Sequence, residues 1–491
     1  MSSGMLAELF SVTGAVVLLP VLAAAVLAML ENRAVAGWLN IASAAGTFAL
    51  ACLLPWQMAA GTLLLVDPLA AHMAILTSFV AMTTAWFSLP YIATEAASGR
   101  LEPRRVRHYH ALFQAFLAAM LMALLSNNFG VTWVSIEAAT IAAVLVVGLP
   151  RTAEAVEASW KYFMLCGVGI SLAFFGTIVL TLAVLPAVGA GPEGALAAMR
   201  WSALPNAASH AAAPLLNLAF VFLLVGYGTK AGLAPLHAWL PDAHAEGPTP
   251  VSAVLSGSIL NVALVVILRL RGVMDANPAA MAPGPPIIVL GLLSVLLAAF
   301  SLWRRRDVKR FFAFSTIEQS GVAAFAFGLG GPLASFAGLL HLTLHTLAKA
   351  AVFQCVGHAC QAKGSQLFSE IGGLLVGHRA LALTLAAGII AVAALPPFGL
   401  FTSEFLIITA TMRQAPWLAV PLAIGLVVGG WTLGWRLITL CTGPATPDKG
   451  PARGPLVLLP VWLHLALVAV LGFAMPATLV AWFTTVAGSL R

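Results

Sequence analysis

Ala213-Pro-Leu-Leu-Asn-Leu-Ala-Phe-Val-Phe-Leu-Leu-Val-Gly-Tyr-Gly-Thr-Lys230-Ala-Gly-Leu-Ala-Pro235 is a long apolar run with a lysine near one end and glycine and proline just beyond it. A helix crosses the hydrocarbon core of a bilayer with about 20 apolar residues, so the run has the length of a span. Helix is favoured over strand because a helix satisfies its own backbone hydrogen bonds in lipid, whereas barrel strands are short and alternating. Proline removes an intrahelical hydrogen bond and glycine lets the chain bend, so this span is expected to be interrupted after Lys230.

The rest of the chain repeats the pattern. Of 491 residues, 61% are hydrophobic and 8% charged; a soluble domain carries roughly 25% charged residues. Span-length runs are predicted at about 9–30, 36–55, 66–90, 109–126, 129–149, 160–185, 213–235, 249–270, 286–303, 310–330, 332–358, 380–411, 416–441 and 456–484. The expected fold is therefore an all-α polytopic membrane protein of about fourteen transmembrane helices. No stretch of ~100 residues with mixed composition exists to form a nucleotide-binding or electron-carrying domain.

The formal net charge is +7, but the basic residues sit in short loops, which argues for topology rather than nucleic-acid binding. With the loop holding Arg33 in the cytoplasm, seventeen of the 24 basic residues fall on that side, among them Arg100, Arg104, Arg105, Arg151, Arg304, Arg306, Lys363 and Arg453. Five fall opposite (Arg200, Arg269, Arg271, Arg413, Arg491), while Lys230 and Lys349 lie inside apolar runs. This bias predicts a multi-pass inner-membrane protein with both termini on the non-cytoplasmic side. Met1–Phe10 has no Lys or Arg and includes Glu8, so the first run reads as a retained span rather than a signal peptide. Cys52, Cys166, Cys355, Cys360 and Cys441 lie in or beside apolar runs and read as small hydrophobes. Cys355 and Cys360 flank His358 without a second ligand pair at structural-zinc spacing, so neither a metal nor a cofactor is expected.

A charge at mid-bilayer costs about 2.5–3.5 kcal/mol even on the lenient insertion scale. Four residues stand out: Glu137 (129–149), Lys230 (213–235), Lys349 (332–358) and Glu404 (380–411). His341, His345 and Lys349 are four apart and stack on one helix face. One reading is a proton relay, since imidazole titrates near neutral pH and a lysine removed from water gives up its proton more readily. The plain alternative is two histidines bonded to carbonyls and a lysine snorkelling to an interface. Zinc at His341 and His345 lacks the glutamate of a metalloprotease helix. Glu137 and Lys230 are opposite charges that form either a static ion pair or a switch in which Glu137 holds the proton on Lys230. Asp67, at a helix entrance, is an auxiliary carboxylate or simply a helix N-terminal residue.

Two spans are interrupted, the seventh at Gly232-Leu-Ala-Pro235 and the twelfth at Leu395-Pro-Pro-Phe-Gly399. Broken helices at corresponding places in two halves point to an inverted-repeat transporter. The expected organisation is 1–108, helices one to three; 109–271, a first five-helix repeat; 286–441, a second, inverted one; and 456–491, a C-terminal helix. Lys230 of the first repeat then corresponds to Glu404 of the second.

The segment Lys230-Ala-Gly-Leu-Ala-Pro-Leu-His-Ala-Trp-Leu-Pro-Asp-Ala-His-Ala-Glu-Gly-Pro-Thr-Pro-Val-Ser-Ala253 resembles the signature of the antiporter-like proton-translocating subunits of complex I, membrane-bound hydrogenases and multisubunit sodium/proton antiporters. Asp307-Val-Lys-Arg-Phe-Phe-Ala-Phe-Ser-Thr-Ile-Glu-Gln319, His341 to Lys349, and Pro396 to Glu404 support it over roughly residues 60–440. Trp160-Lys-Tyr-Phe-Met-Leu-Cys-Gly-Val-Gly-Ile170 and the glutamate of the twelfth span look most like the F subunit of hydrogenase-4. The resemblance implies Glu137 and Lys230 as a coupled pair, Lys349 with His341 and His345 as the central relay, and Glu404 as the exit. His237 and Asp242 in the signature segment are implied as auxiliary groups. In the eighth span Asn261 stands where relatives often carry a lysine or histidine, so that step would rest on bound water.

The expected function is thus a proton-translocating subunit of a redox-driven complex, partnered by other membrane subunits, lipid and protons. No redox residue is present, so any enzyme label belongs to the assembly. Rival readings are a module exchanging sodium for protons and a structural anchor for soluble redox or inorganic-carbon uptake partners.

Overall fold

The computed structural model describes residues 7–189, 191–450 and 454–490, so Arg453 and Arg491 of the loop count, and the first six residues, lie outside the described part. The main helices are α1 Val12–Met29, α2 Arg33–Ala51, α3 Pro68–Ala97, α4 Pro103–Leu125, α5 Phe129–Val147, α6 Ala153–Val188, α7 Ala213–Lys230 and α8 Thr249–Asp275. They continue as α9 Gly284–Leu302, α10 Val308–Leu329, α11 Gly331–Lys363, α12 Arg379–Val392, α13 Gly399–Gln414, α14 Ala419–Thr442, α15 Leu459–Phe473 and α16 Ala477–Gly488. Among the described residues, twelve helices are long and apolar enough to cross a membrane. A two-residue antiparallel pair, β1 Ala59–Ala60 and β2 Leu65–Val66, precedes α3. The chain is an integral membrane protein of the all-α class.

Short polar residues mark the helix starts. Asp67 accepts from the Ala70 amide at 2.6 Å, Asn128 from Gly130 and Val131, Thr152 from Ala155, and Asp307 from Arg310. Each satisfies amides that the first helical turn leaves without an intrahelical partner. α8 and α11 are almost wholly enclosed, and α3 nearly so, which places them at the centre. α1, α6 and α14 turn rows of exposed Leu, Val, Phe and Trp outward, as lipid-facing helices do. Glycines bring pairs of helices close: a Cβ at Gly226 of α7 would stand 2.6 Å from the Gly169 carbonyl oxygen of α6, and one at Gly321 of α10 would stand 2.7 Å from that of Gly291 in α9. Small residues at such crossings are how membrane helices gain packing contact.

Two interruptions fall where they were expected, and one expectation changes. The run 380–411 is two helices, α12 and α13, parted at Ala393–Phe398, where Pro396 and Pro397 supply no amide donors. The C-terminal run expected as one helix is also two: Ala474 is extended, and Pro476 opens α16. The seventh run stops helically at Lys230, and Gly232 takes φ +69°, a left-handed conformation that costs glycine nothing. The chain then turns back into a short helix, Leu240–Glu246.

Candidate functional site

The turn at Gly232 places Lys230 at the end of α7 and folds Trp239 back over it. The Trp239 indole donates to the Thr229 carbonyl at 2.9 Å and stacks on Tyr162 at 4.3 Å. Lys230 is 1% exposed, and its ammonium lies 3.3 Å from Glu137 Oε2 on α5, which is half-buried. It also donates to the hydroxyl of Thr140, three residues on from Glu137 on the same face of α5. Glu137 and Lys230 are thus a contacting pair.

The second group is on α11. His341, His345 and Lys349 are all buried, and the two imidazoles lie parallel with centroids 6.3 Å apart. His341 Nδ1 meets Ser403 Oγ of α13 at 3.1 Å. Lys349 sits near the middle of a 33-residue helix. Its ammonium donates to the Phe312 carbonyl of α10 at 3.1 Å and lies 5.6 Å from the centre of that ring. Among the described residues no carboxylate comes within ion-pairing distance of Lys349, and its side chain is buried in the bundle rather than extended to the surface.

Asn261 joins this group by a device that the sequence does not mark. At Leu255–Ile259, α8 opens into a single π turn. The Gly257 carbonyl receives both the Asn261 amide at 2.7 Å and the Thr346 hydroxyl at 3.1 Å, and the Asn261 amide also reaches Thr346 at 2.7 Å. Ser256 and Thr316 meet at 2.7 Å beside it. The π turn thereby makes a polar crossing of α8, α10 and α11 one turn from Lys349, a common place for such turns in functional helices.

Glu404 on α13 is half-buried and accepts from Gln319 Nε2 at 3.4 Å. Next to Gln319 is a residue to which the sequence pattern assigned no role. Glu318 is 1% exposed, is packed into the space left by Gly429, and lies close enough to Glu404 and Lys349 to interact with both charges. Its signal was present, a carboxylate within the span-length run 310–330, flanked by Ser315, Thr316 and Gln319.

The remaining candidates sit elsewhere. Asp67 caps α3 and pairs with Arg269 at 2.9 Å. Asp242 pairs with Lys161 and Arg310, each at 3.2 Å, in a cluster open to solvent. His237 packs edge-on against Phe314. Among the described residues no hydrogen bond links the Lys230–Glu137 pair to the Asn261–Thr346 group. Several buried polar atoms near the α11 line lack a protein partner: Asn261 Oδ1, Ser315 Oγ, Glu318 Oε2, Gln319 Oε1 and the Nε2 atoms of His341 and His345. Polar groups so buried in native proteins are characteristically satisfied by internal water. The described residues include no cluster of three or more potential metal ligands, and all five cysteines are free thiols.

A family profile described as NADH:quinone oxidoreductase/Mrp antiporter, TM, matches residues 126–429, a stretch holding every group of this line. The chain belongs to that family. It is 45% identical over 470 residues to a hydrogenase-4 component F homolog of Methylacidiphilum infernorum, covering 96% of this chain and 98% of that protein. A Na(+)/H(+) antiporter subunit of Alkalihalophilus pseudofirmus is 25% identical, with 85% of this chain and 82% of that one covered. The fold matches a chain of an archaeal membrane-bound sulfane sulfur reductase with a TM-score of 0.85 at 21% identity, covering 98% and 97% of the two chains. It also matches a chain of respiratory complex I from Thermus thermophilus at 0.81 and 20% identity, covering 98% and 99%. The family is thus that of antiporter-like membrane subunits.

Proposed function

We propose that this chain is a proton-translocating subunit of a multisubunit redox-driven membrane complex of the membrane-bound hydrogenase or complex I-like kind. The observation that carries the reading is Lys349: a fully buried ammonium near mid-helix, held by one carbonyl and, among the described residues, by no ion-pair partner, with two stacked histidines above it. A lysine kept only for structure would be paired, because an uncompensated buried charge is strongly destabilising. A lysine that gains and loses a proton spends part of each cycle neutral.

In this scheme Glu137 holds the proton on Lys230. A rearrangement in a neighbouring subunit draws Glu137 away, and Lys230 loses its counter-charge. Its proton then moves through water along Asn261 and Thr346 to His345 and Lys349. Glu318 and Glu404 receive it and pass it outward. Swinging such a two-state element from 1:99 to 99:1 takes about 5.5 kcal/mol, within reach of a downhill electron transfer elsewhere in the complex. The breaks after α7 and between α12 and α13 support two inverted repeats of five helices. Counting α10, and α12 with α13 as one broken span, supports fourteen crossings. The loop charges support both termini on the non-cytoplasmic side.

The test is Lys349→Met in the assembled complex reconstituted into vesicles. Proton uptake driven by the redox reaction is expected to fall at least tenfold while subunit composition stays unchanged. Pumping at the wild-type rate would refute the reading. Pumping that vanishes without sodium in the unaltered complex would replace it with cation exchange.

A further inference from the structure

A large cavity lies away from the proposed proton line. It is a groove of about 930 Å³ between α1, α4, α5 and α6, open to the outside of the bundle. Its two ends differ in chemistry. Arg104, Arg105, His108 and Arg151 line one end together with Glu102. Ala111 and Ala115 of α4, Ala24 and Ala28 of α1, and Leu145 and Phe163 line the rest. Arg105 is already used: it donates to Glu102 at 2.7 Å and to the Leu149 carbonyl at 2.8 Å, which also neutralises the one carboxylate present. Arg104, His108 and Arg151 make no ion pair with the described residues and are left to face the groove mouth. Arg104 and His108, four apart, share one face of α4. The N-termini of α4 and α6 open at the same end, adding their positive dipole ends.

From Arg104 to Ala115 the groove follows α4 for eleven residues, about 16 Å at 1.5 Å per residue. That is roughly half of a 30 Å hydrocarbon core, the depth of one leaflet. Alanines on α1 and α4 keep the floor low, and exposed Ile141, Leu145, Trp160 and Phe163 form apolar walls. A soluble anion would use only the mouth. A ligand with an anionic head and a chain one leaflet long would use all of it.

We propose that this groove binds one anionic phospholipid, its phosphate between Arg104 and Arg151 and an acyl chain along Ala111, Ala115 and Leu145. Basic pockets between transmembrane helices on the cytoplasmic side are where such head groups bind, and the loop charges assign the mouth to that side. The lipid fills a surface that the bundle itself leaves apolar and open.

The experiment is native mass spectrometry of the full chain in mild detergent, titrated with dioleoyl phosphatidylglycerol or dioleoyl phosphatidylcholine. The unaltered chain is expected to bind one phosphatidylglycerol at least tenfold more tightly than phosphatidylcholine. Arg104→Gln with Arg151→Gln should weaken phosphatidylglycerol by roughly fivefold per arginine and leave phosphatidylcholine unchanged. Ala115→Phe, which fills the floor, should weaken both lipids. Arg304→Gln, an exposed arginine outside the groove, should change neither. Each variant is first checked for an unaltered elution profile and melting temperature, so the arginine pair and Ala115→Phe test the site independently. Equal affinity for the two lipids, or no effect of the arginine pair, would overturn the proposal. So would displacement of the lipid by millimolar inorganic phosphate, which would leave a bare anion site. Cysteine cross-linking from Leu145→Cys to a neighbouring subunit in the assembled complex would make the groove a subunit interface instead.

Discussion

Lys230 and Lys349 are both buried, yet they are held differently, and the difference separates the roles proposed for them. Lys230 has a carboxylate at 3.3 Å and a hydroxyl beside it; Lys349 has a carbonyl. Removing one member of a buried ion pair leaves the other uncompensated, typically at about 3–5 kcal/mol. Glu137 is part-exposed, so the lower end applies. Lys230→Met alone is expected to lower unfolding stability by about 3 kcal/mol, and the double variant with Glu137→Gln to recover most of it, as read by thermal unfolding in detergent. Stability losses that simply add would show that the two do not form a pair. Glu318 behaves unlike either. Gly429 leaves room for its carboxylate, and a Cβ there would collide with it. Gly429→Ala should therefore displace Glu318 and reduce proton uptake as strongly as Glu318→Gln does, while Gly434→Ala, with open space around it, should have no effect. The glutamates on α5 and α13 and the lysine–histidine stripe were legible in sequence as charges in apolar runs; Glu318 is such a charge too, but the space that receives it is left by a glycine more than a hundred residues away, which no local pattern shows.

At the scale of helices, the π turn in α8 and the glycine crossings matter most. Within the π turn the Gly257 carbonyl accepts from the side chains of both Asn261 and Thr346, which ties α8 to α11. α9 and α10 pass so close at Gly291 and Gly321 that a Cβ on either meets backbone. Gly321→Val should cost about 1–3 kcal/mol through overpacking and lower the melting temperature. Val427→Ala, on a lipid-facing surface, should not. A surface clamp adds a pH term. Asp448, between α14 and α15, accepts from Lys363 at 2.8 Å and His378 at 3.0 Å, and these bonds hold its carboxyl below the usual carboxylate range. A carboxyl so lowered stabilises the fold above its unfolded value and stops doing so as pH falls through its folded value. Asp448→Asn should therefore lower the melting temperature at pH 7 but change little at the acid end of the scale, below the carboxylate range. Being exposed, this clamp is small. The breaks at Gly232–Pro235 and Pro396–Pro397 were readable from Gly and Pro; the π turn has no such marker.

Over the whole molecule, the enclosed helices α3, α8 and α11 bury polar side chains such as His72, Asn261 and Lys349 beneath outer helices that turn apolar side chains outward. Sidedness can be checked directly. In a Cys52→Ser background, which leaves four buried thiols, Arg304→Cys should react with an impermeant maleimide only from the cytoplasmic face. Ser209→Cys should react only from the other. The reverse pattern would invert the direction of transport in the proposed scheme.

Composition and run length by themselves determined that this chain lives in a bilayer as helices, because lipid leaves the backbone few other ways to satisfy its hydrogen bonds. The same reading located four stranded charges, since a charge in an apolar run is visible locally. Only the tertiary structure decided which of those charges touch, where α8 opens, that Glu318 belongs with Glu404 and Lys349, and that Asp242 does not. Those outcomes depend on helices far apart in sequence approaching within a few ångströms, and no local pattern of residues encodes that distance.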